Sequence, residues 1–164
     1  MTITETQTTQ TQTTAAPQLV TPEVQARLVA GTATQVRIKA GEHAFTIDEP
    51  ETLGGTNLGA TPIDHLLAAL GACQVITYQV WADKLGIAVD TIDIDLRGDL
   101  DLRGFFGTSP GVRPGFQGIE VAVRLAGPES KERYAELVAV VEEHCPVLDN
   151  LQATVPVTST VTIA

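Results

Sequence analysis

Residues 61–85 read TPIDHLLAALGACQVITYQVWADKL, and this stretch decides the fold. Thr61 predicts the N-cap of a helix, Pro62 suits its first turn, and Asp64 completes an S/T-x-x-D/E capping box. Gly86 marks the end of the helix. The residues between these signals are apolar almost all round, which predicts a helix buried on most sides. Its small residues would let another helix approach closely, including one from a second copy of the chain: Ala68, Ala69, Gly71 and Ala72.

On either side of this helix the sequence predicts strands. Residues 25–29, 35–39 and 43–48 indicate an antiparallel meander, and a glycine-containing loop from 48 to 61 leads into the helix. Strands are predicted at 88–97 and 119–125, around an irregular excursion at 98–118. A second helix at 130–144 and a final strand at 154–163 complete the order β-β-β-α-β-β-α-β. The predicted class is α+β, with antiparallel sheets.

Length and composition indicate one ordinary domain. The chain has 164 residues, of which 43% are hydrophobic but only 4% aromatic, so its core is expected to be aliphatic. Residues 1–20 are dominated by Thr and Gln and are predicted to be a flexible tail. Residues 21–164 are predicted to form the single domain, without an internal repeat.

The charge balance argues against two classes of partner. A net charge of −10 with no basic stripe disfavours nucleic acid and anionic membrane surfaces. The N-terminus, MTITETQTTQTQTT, lacks the features of a signal peptide, and no apolar run is long enough to span a bilayer. A cytoplasmic location is therefore expected.

Other polar and aromatic groups have an ordinary structural explanation. Asp90, Asp93 and Asp95 alternate along a predicted strand without the turn glycine and terminal glutamate of a calcium loop, so a solvated face is expected and no metal site. Phe105, Phe106 and Phe116 either line a pocket for an apolar molecule or anchor the irregular excursion. The three histidines are expected at surface or helix-end positions: His43, His65 and His144.

Cys73 and Cys145 are the two cysteines of the chain. Two are too few for a disulfide scaffold, and they lack the spacing of a zinc site. Buried free cysteines are usually small packing residues. If the two helices pack together, however, the pair could approach within the ~4–7 Å Cα separation that a disulfide requires.

Three motifs carry a resemblance to a known family. They are TPIDHLLAALGAC at 61–73, the preceding loop with DEP at 48–50 and a glycine pair at 54–55, and HCPVLDNL at 144–151. In this order they resemble the OsmC/Ohr family of osmotically inducible and organic hydroperoxide resistance proteins, over residues 25–164. The resemblance implies an intertwined homodimer, with central helices between antiparallel sheets and active sites at the subunit interface.

The same resemblance implies a thiol-dependent peroxidase that needs no metal or organic cofactor. Cys73 would attack an organic hydroperoxide, giving an alcohol and a sulfenic acid, and Cys145 would resolve that acid as a disulfide. A dithiol or lipoyl-type reductant would restore the enzyme. In the family an arginine activates the thiolate, and Arg37 is the candidate here, with Arg27 as the alternative.

The carboxylate that would hold this arginine is less clearly marked. In the hydroperoxide-resistance branch a glutamate precedes the cysteine by ten residues, where this chain has Ile63. Asp64 follows it, but nine residues of helix advance ~13 Å and about 180°, so Asp64 is expected to face away from Cys73 and to cap its helix. Glu49 in the loop is the rival candidate.

Two other functions stay open on the sequence. A noncatalytic dimer of the same fold could bind a small apolar ligand or a partner, with its cysteines as packing residues. A thiol-based acyl transferase or hydrolase would require a base close to Cys73, and the sequence offers none.

Overall fold

The computed structural model describes residues 16–163. Its first element is a three-stranded antiparallel sheet in the order β1-β2-β3, built from Val24–Leu28, Val36–Ala40 and His43–Ile47. Ile38, at the middle of β2, is buried, whereas the flanking Arg37 and Lys39 are exposed. The predicted meander is confirmed, with strand ends that differ by one residue.

Helix α1, Pro62–Leu85, carries the ends that the sequence predicts. The Thr61 hydroxyl accepts a hydrogen bond from the Asp64 backbone N–H, and the Asp64 carboxylate accepts one from the Thr61 N–H, so both halves of the capping box are present. Gly86 follows at φ 61°, a left-handed conformation that glycine adopts without strain. The helix therefore begins and ends on local signals.

The second sheet pairs β4, Thr91–Leu100, with β5, Phe116–Ala126, in antiparallel register. Alternate residues of both strands are half-buried against the helices and exposed on the other face. On the exposed face Arg124 donates to Asp95 at 2.7 Å, so the alternating aspartates do form a solvated face. The excursion between the strands is shorter than predicted and contains the short helix α2, Leu102–Phe105.

Two helices follow the second sheet. Helix α3, Lys131–His144, corresponds to the helix predicted at 130–144 and is capped by Ser130, whose hydroxyl accepts from the Arg133 N–H. Cys145 ends α3 and also begins α4, Pro146–Gln152, which the sequence reading missed. The main buried cluster lies between α1, α3 and the second sheet, and consists of Tyr78, Ala82, Ile87, Leu137 and Val141.

The predicted final strand at 154–163 is wrong. The structure gives these residues no secondary structure and leaves every one of them exposed. Val157, Val161 and Ile163 alternate as in a strand, but no strand within residues 16–163 pairs with their backbone. Without the two short helices Glu51–Leu53 and Leu102–Phe105, the order of elements is β-β-β-α-β-β-α-α. The expectation of an α+β fold with antiparallel sheets is confirmed.

The predicted tail falls mostly outside the described residues, because 1–15 are not described. Residues 16–20 are exposed and have no secondary structure. Among the helices of the described part, none is long and apolar enough to cross a membrane.

Candidate active site

Cys73 lies near the middle of α1 and is partly exposed. One turn later the hydroxyl of the buried Thr77 donates to the Cys73 carbonyl oxygen at 2.7 Å, which fixes the main chain at this point. Cys73 is thus a partly exposed residue on a main chain that Thr77 holds in place.

Cys145 lies at the junction of α3 and α4 and is 1% exposed. Burial is the largest cause that raises the pKa of its thiol, since a thiolate is poorly solvated there. The backbone N–H groups of Leu148 and Val147 act in the opposite direction. A further rise in the pKa comes from a hydrogen bond with the Cys73 thiol and from the charge that Cys73 can carry.

The structure therefore brings the two predicted cysteines together, although 71 residues separate them in the sequence. Helix α1 packs against both α3 and α4, so the junction that holds Cys145 lies against the middle of α1. Both cysteines are free thiols in this structure. Neighbouring thiols that differ in exposure can act as an accessible nucleophile and a sheltered second sulfur.

The predicted activating cation does not join this pair within the chain. Arg37 lies on the exposed face of β2, beside Arg27 on β1, and the two arginines face each other across the strand pair. In the described residues neither guanidinium forms an ion pair, and no hydrogen bond connects either one with a cysteine.

The two candidate carboxylates are also apart from the cysteines. Asp64 caps α1, as expected, and the Thr61 hydroxyl and N–H that it binds lower its pKa. Glu49 is half-buried and lines a cavity of about 300 Å³ together with Leu100, Phe105 and Phe106. Neither carboxylate holds an arginine in the part of the chain that the structure describes.

The histidines occupy structural positions, as predicted. The His65 ring stacks on Phe45 and its Nδ1 contacts the Thr61 carbonyl oxygen at 2.9 Å. His144 packs against Trp81, and its Nδ1 contacts the Val140 carbonyl oxygen. His43 is exposed on β3. Across the described residues no group of three or more potential ligands is placed to hold a metal ion.

Comparison with known proteins identifies the family. The family model for the OsmC-like protein matches residues 55–160, which include both cysteines. The chain belongs to the OsmC-like family. This result confirms the resemblance drawn from the three sequence motifs.

Solved structures share the fold of this OsmC-like chain at low sequence identity. An OsmC like protein from Mycoplasma pneumoniae is 20% identical, with a TM-score of 0.70 over 82% of this chain and 89% of that one. An organic hydroperoxide resistance protein from Legionella pneumophila is 22% identical, with a TM-score of 0.62 over 83% and 92%. One from Elizabethkingia anophelis is 21% identical, with a TM-score of 0.58 over 84% and 91%. No curated protein sequence matches the chain significantly.

The sequence reading missed the role of Asp48 in this OsmC-like domain. Asp48 is fully buried, and its carboxylate accepts hydrogen bonds from the hydroxyls of Thr34 and Thr56, at 2.6 and 2.7 Å, and from three backbone N–H groups of the loop that follows β3. The same loop tolerates only glycine at 55, where a Cβ would lie 1.8 Å from the Glu49 carbonyl oxygen. The DEP and glycine motif therefore fixes the conformation of the loop that connects β3 with α1.

Two further features near the cysteines were not singled out. Gln74, next to Cys73, is 5% exposed, and its Oε1 atom has no hydrogen-bond partner in the described structure. A second cavity, of about 340 Å³, lies between α1, β5 and α4 and includes Arg113 in its wall. An unpaired buried oxygen can be suspected from a lone Gln in an apolar run, whereas the cavity depends on tertiary packing alone.

Proposed function

We propose that this OsmC-like protein is a thiol peroxidase that reduces organic hydroperoxides to alcohols. The observation that supports it most directly is that Cys73 lies near enough to Cys145 to raise the pKa of the Cys145 thiol, while the two residues differ in exposure and come from different segments of the chain. Cys73 is the accessible thiol and acts as the nucleophile. Cys145 is sheltered, and burial raises the pKa of its thiol, so it competes poorly with Cys73 for the peroxide and enters only the second step.

The two steps balance without a cofactor. The Cys73 thiolate attacks the terminal peroxide oxygen, the O–O bond breaks, and the alkoxide leaves as an alcohol after taking up a proton. Cys73 is then a sulfenic acid. The Cys145 sulfur attacks the Cys73 sulfur, and the departing hydroxide takes the Cys145 proton and leaves as water. A dithiol or lipoyl-type reductant then reduces the Cys73–Cys145 disulfide and becomes oxidised itself.

Arg37 is the proposed activating residue in this mechanism, and Arg27 is its alternative. A guanidinium stabilises a thiolate and polarises a bound peroxide. Because Arg37 lies on an exposed sheet face away from Cys73 of its own chain, the proposal requires a homodimer in which a partner chain brings Arg37 to the thiol. Asp64 or Glu49 would then orient the guanidinium across the same interface.

A noncatalytic ligand-binding dimer is the second candidate function. The observation in its favour is the cavity of about 300 Å³ walled by Leu100, Phe105 and Phe106. Such apolar cavities are typical of small-molecule sites. An acyl-transfer reaction has less support, because His65 and His144 each engage a main-chain carbonyl oxygen and an aromatic ring, and within residues 16–163 no hydrogen bond links either ring to a cysteine.

Counting free thiols tests the peroxidase directly. Reduced protein is mixed with cumene hydroperoxide or, separately, with hydrogen peroxide, and the thiols are titrated over time. We expect rapid loss of two thiols per chain with the organic peroxide, with the disulfide identified by mass spectrometry.

Two variants separate the roles of the cysteines. Cys73→Ser should lose peroxide consumption altogether. Cys145→Ser should lose one thiol and accumulate a Cys73 sulfenic acid that dimedone traps. If neither peroxide removes thiols from the reduced wild-type protein, the peroxidase proposal is wrong and the ligand-binding function takes its place.

A further inference from the structure

Gln74 lies in the buried stripe of α1 that faces the other helices. The members of this stripe follow one another at helical spacing and are each at most 5% exposed: Leu70, Gln74, Tyr78 and Ala82. An apolar side chain would fill the position of Gln74 without burying a carboxamide. A buried polar atom that lacks a partner in a folded protein requires an explanation, and a role in the reaction is one such explanation.

The neighbours of Gln74 in this stripe place it opposite the junction of α3 and α4. Leu70, one turn before it, shares the wall of a cavity with Leu148 of α4. Tyr78, one turn after it, packs in the buried cluster with residues of α3. Gln74 lies between these two contacts, and Cys145 is buried where α3 ends and α4 begins. The carboxamide therefore lies on the side of α1 that meets Cys145.

The reduced protein offers the Gln74 Oε1 atom no donor. Among residues 16–163 this atom has no hydrogen-bond partner, and the Cys145 thiol is no exception. The hydroxyl of the nearby Thr77 donates its single proton to the Cys73 carbonyl oxygen at 2.7 Å. An acceptor is thus present beside Cys73 without a group that uses it.

Oxidation of Cys73 would supply the missing donor. In the proposed reaction the Cys73 sulfur takes up the terminal peroxide oxygen and becomes a sulfenic acid, S–O–H. This hydroxyl is a new donor on the residue next to Gln74. Formation of the disulfide removes it again, because its oxygen leaves as water. An acceptor at this place is therefore matched to one intermediate of the reaction.

We propose that Gln74 Oε1 accepts a hydrogen bond from the sulfenic acid of Cys73. This inference rests on the proposed function and adds a positioning residue to it. The hydrogen bond holds the oxidised side chain toward Cys145 and away from solvent, which favours the disulfide over further oxidation to a sulfinic acid by a second peroxide molecule. Gln74 exchanges no proton or electron, and it takes no part in breaking the O–O bond.

A single-turnover experiment separates the two steps. Reduced full-length wild type and Gln74→Met are each mixed with one equivalent of cumene hydroperoxide, quenched with acid at intervals and analysed by mass spectrometry. We expect both proteins to consume the peroxide at the same rate. Disulfide formation should be about fivefold slower in Gln74→Met, as the loss of one hydrogen bond between neutral groups predicts. Gln79→Met is the matched control on the exposed side of the same helix, and it should equal wild type in both steps.

Diamide distinguishes positioning of the sulfenic acid from ordinary packing. This oxidant joins two thiols through an adduct on nitrogen, so no S–O–H group forms. Gln74→Met should form the Cys73–Cys145 disulfide with diamide at the wild-type rate. If Gln74→Met slows disulfide formation equally with diamide and with the peroxide, Gln74 has only a structural role and the inference is overturned.

Excess peroxide provides a second measurement. Gln74→Met should accumulate more Cys73 sulfinic acid than wild type or Gln79→Met, because its sulfenic acid is turned less firmly toward Cys145. Equal rates of disulfide formation after peroxide in Gln74→Met and wild type would overturn this inference and leave the peroxidase proposal standing. A reduced wild-type protein that loses no thiols to peroxide would overturn both.

Discussion

Gln74 places an unpaired carboxamide oxygen in the interior beside Cys73. A buried polar group without a partner costs about 1–3 kcal/mol, so its removal should stabilise the fold. We expect Gln74→Met, which keeps the shape and flexibility of the side chain, to raise the free energy of unfolding by about 1 kcal/mol. Urea unfolding of the reduced protein measures the change.

The exposed Gln79 on the same helix provides the control for this substitution. Gln79→Met makes the same chemical change where water satisfies the carboxamide, so its free energy of unfolding should stay near the wild-type value. A loss of stability in Gln74→Met would contradict the prediction, because it would show that the Gln74 oxygen has a hydrogen-bond partner that stabilises the fold.

Single residues differ in how far their sequence context reveals their role. Cys73 and Cys145 could be selected because cysteine is rare in the chain and because motifs surround both positions. Their proximity is a result of packing between helices distant in sequence. The position of Arg113 in the wall of the cavity of about 340 Å³ carries no such mark, since Arg113 lies in an irregular segment where an arginine is ordinarily a surface residue.

The loop between β3 and α1 depends on the ionised form of Asp48. The Thr34 and Thr56 hydroxyls, followed by the Leu58 and Glu49 N–H groups, lower the pKa of Asp48 well below its usual range, against the effect of burial. A lowered pKa contributes stability that is present above the ordinary carboxyl pKa of about 4 and is lost as the pH falls toward the folded-state value. Asp48→Asn should therefore destabilise the protein at pH 7, and the difference from wild type should shrink at pH 3.

Unfolding by urea at these two pH values provides the measurement. Asp93→Asn, which removes a carboxylate from the exposed face of β4, should leave the stability at pH 7 near that of wild type. A difference between Asp48→Asn and wild type that is equally large at pH 3 and pH 7 would show that the loop does not depend on the charge.

Whole elements were predictable where the signals are local. The capping box at Thr61 and the glycine at Gly86 determine α1 within the segment itself, and local patterns located the five strands that pair within residues 16–163, by apolar alternation in all but the first. The segment at 154–163 has the same alternation without a partner, so a pattern of side chains alone did not suffice for a strand. Pro146 follows the end of α3 and, because proline suits the first turn of a helix, also begins α4.

At the scale of the whole molecule, the residues that the structure describes leave one face of α1 uncovered. Ala69, Ala72, Ile76 and Val80 follow one another at helical spacing and are all exposed, Ile76 by 63%. The three-stranded sheet, for its part, has no extensive contact with any other helix or strand of the described chain. A second copy packed on the small residues of this α1 face would cover them symmetrically, which supports the proposed homodimer.

Mixed dimers provide the sharpest test of how such an assembly would work. Suppose that Arg37 of one chain activates Cys73 of the other. A homodimer of Cys73→Ser then has no site that contains both residues, and neither does a homodimer of Arg37→Gln. The two variants are co-expressed with different affinity tags, and the heterodimer is purified through both tags. It should retain one complete site and about half of the wild-type peroxidase rate. Arg27→Gln in place of Arg37→Gln should be active on its own. A doubly tagged complex as inactive as its parents would contradict activation across the interface, and failure to recover any doubly tagged protein would contradict the dimer itself.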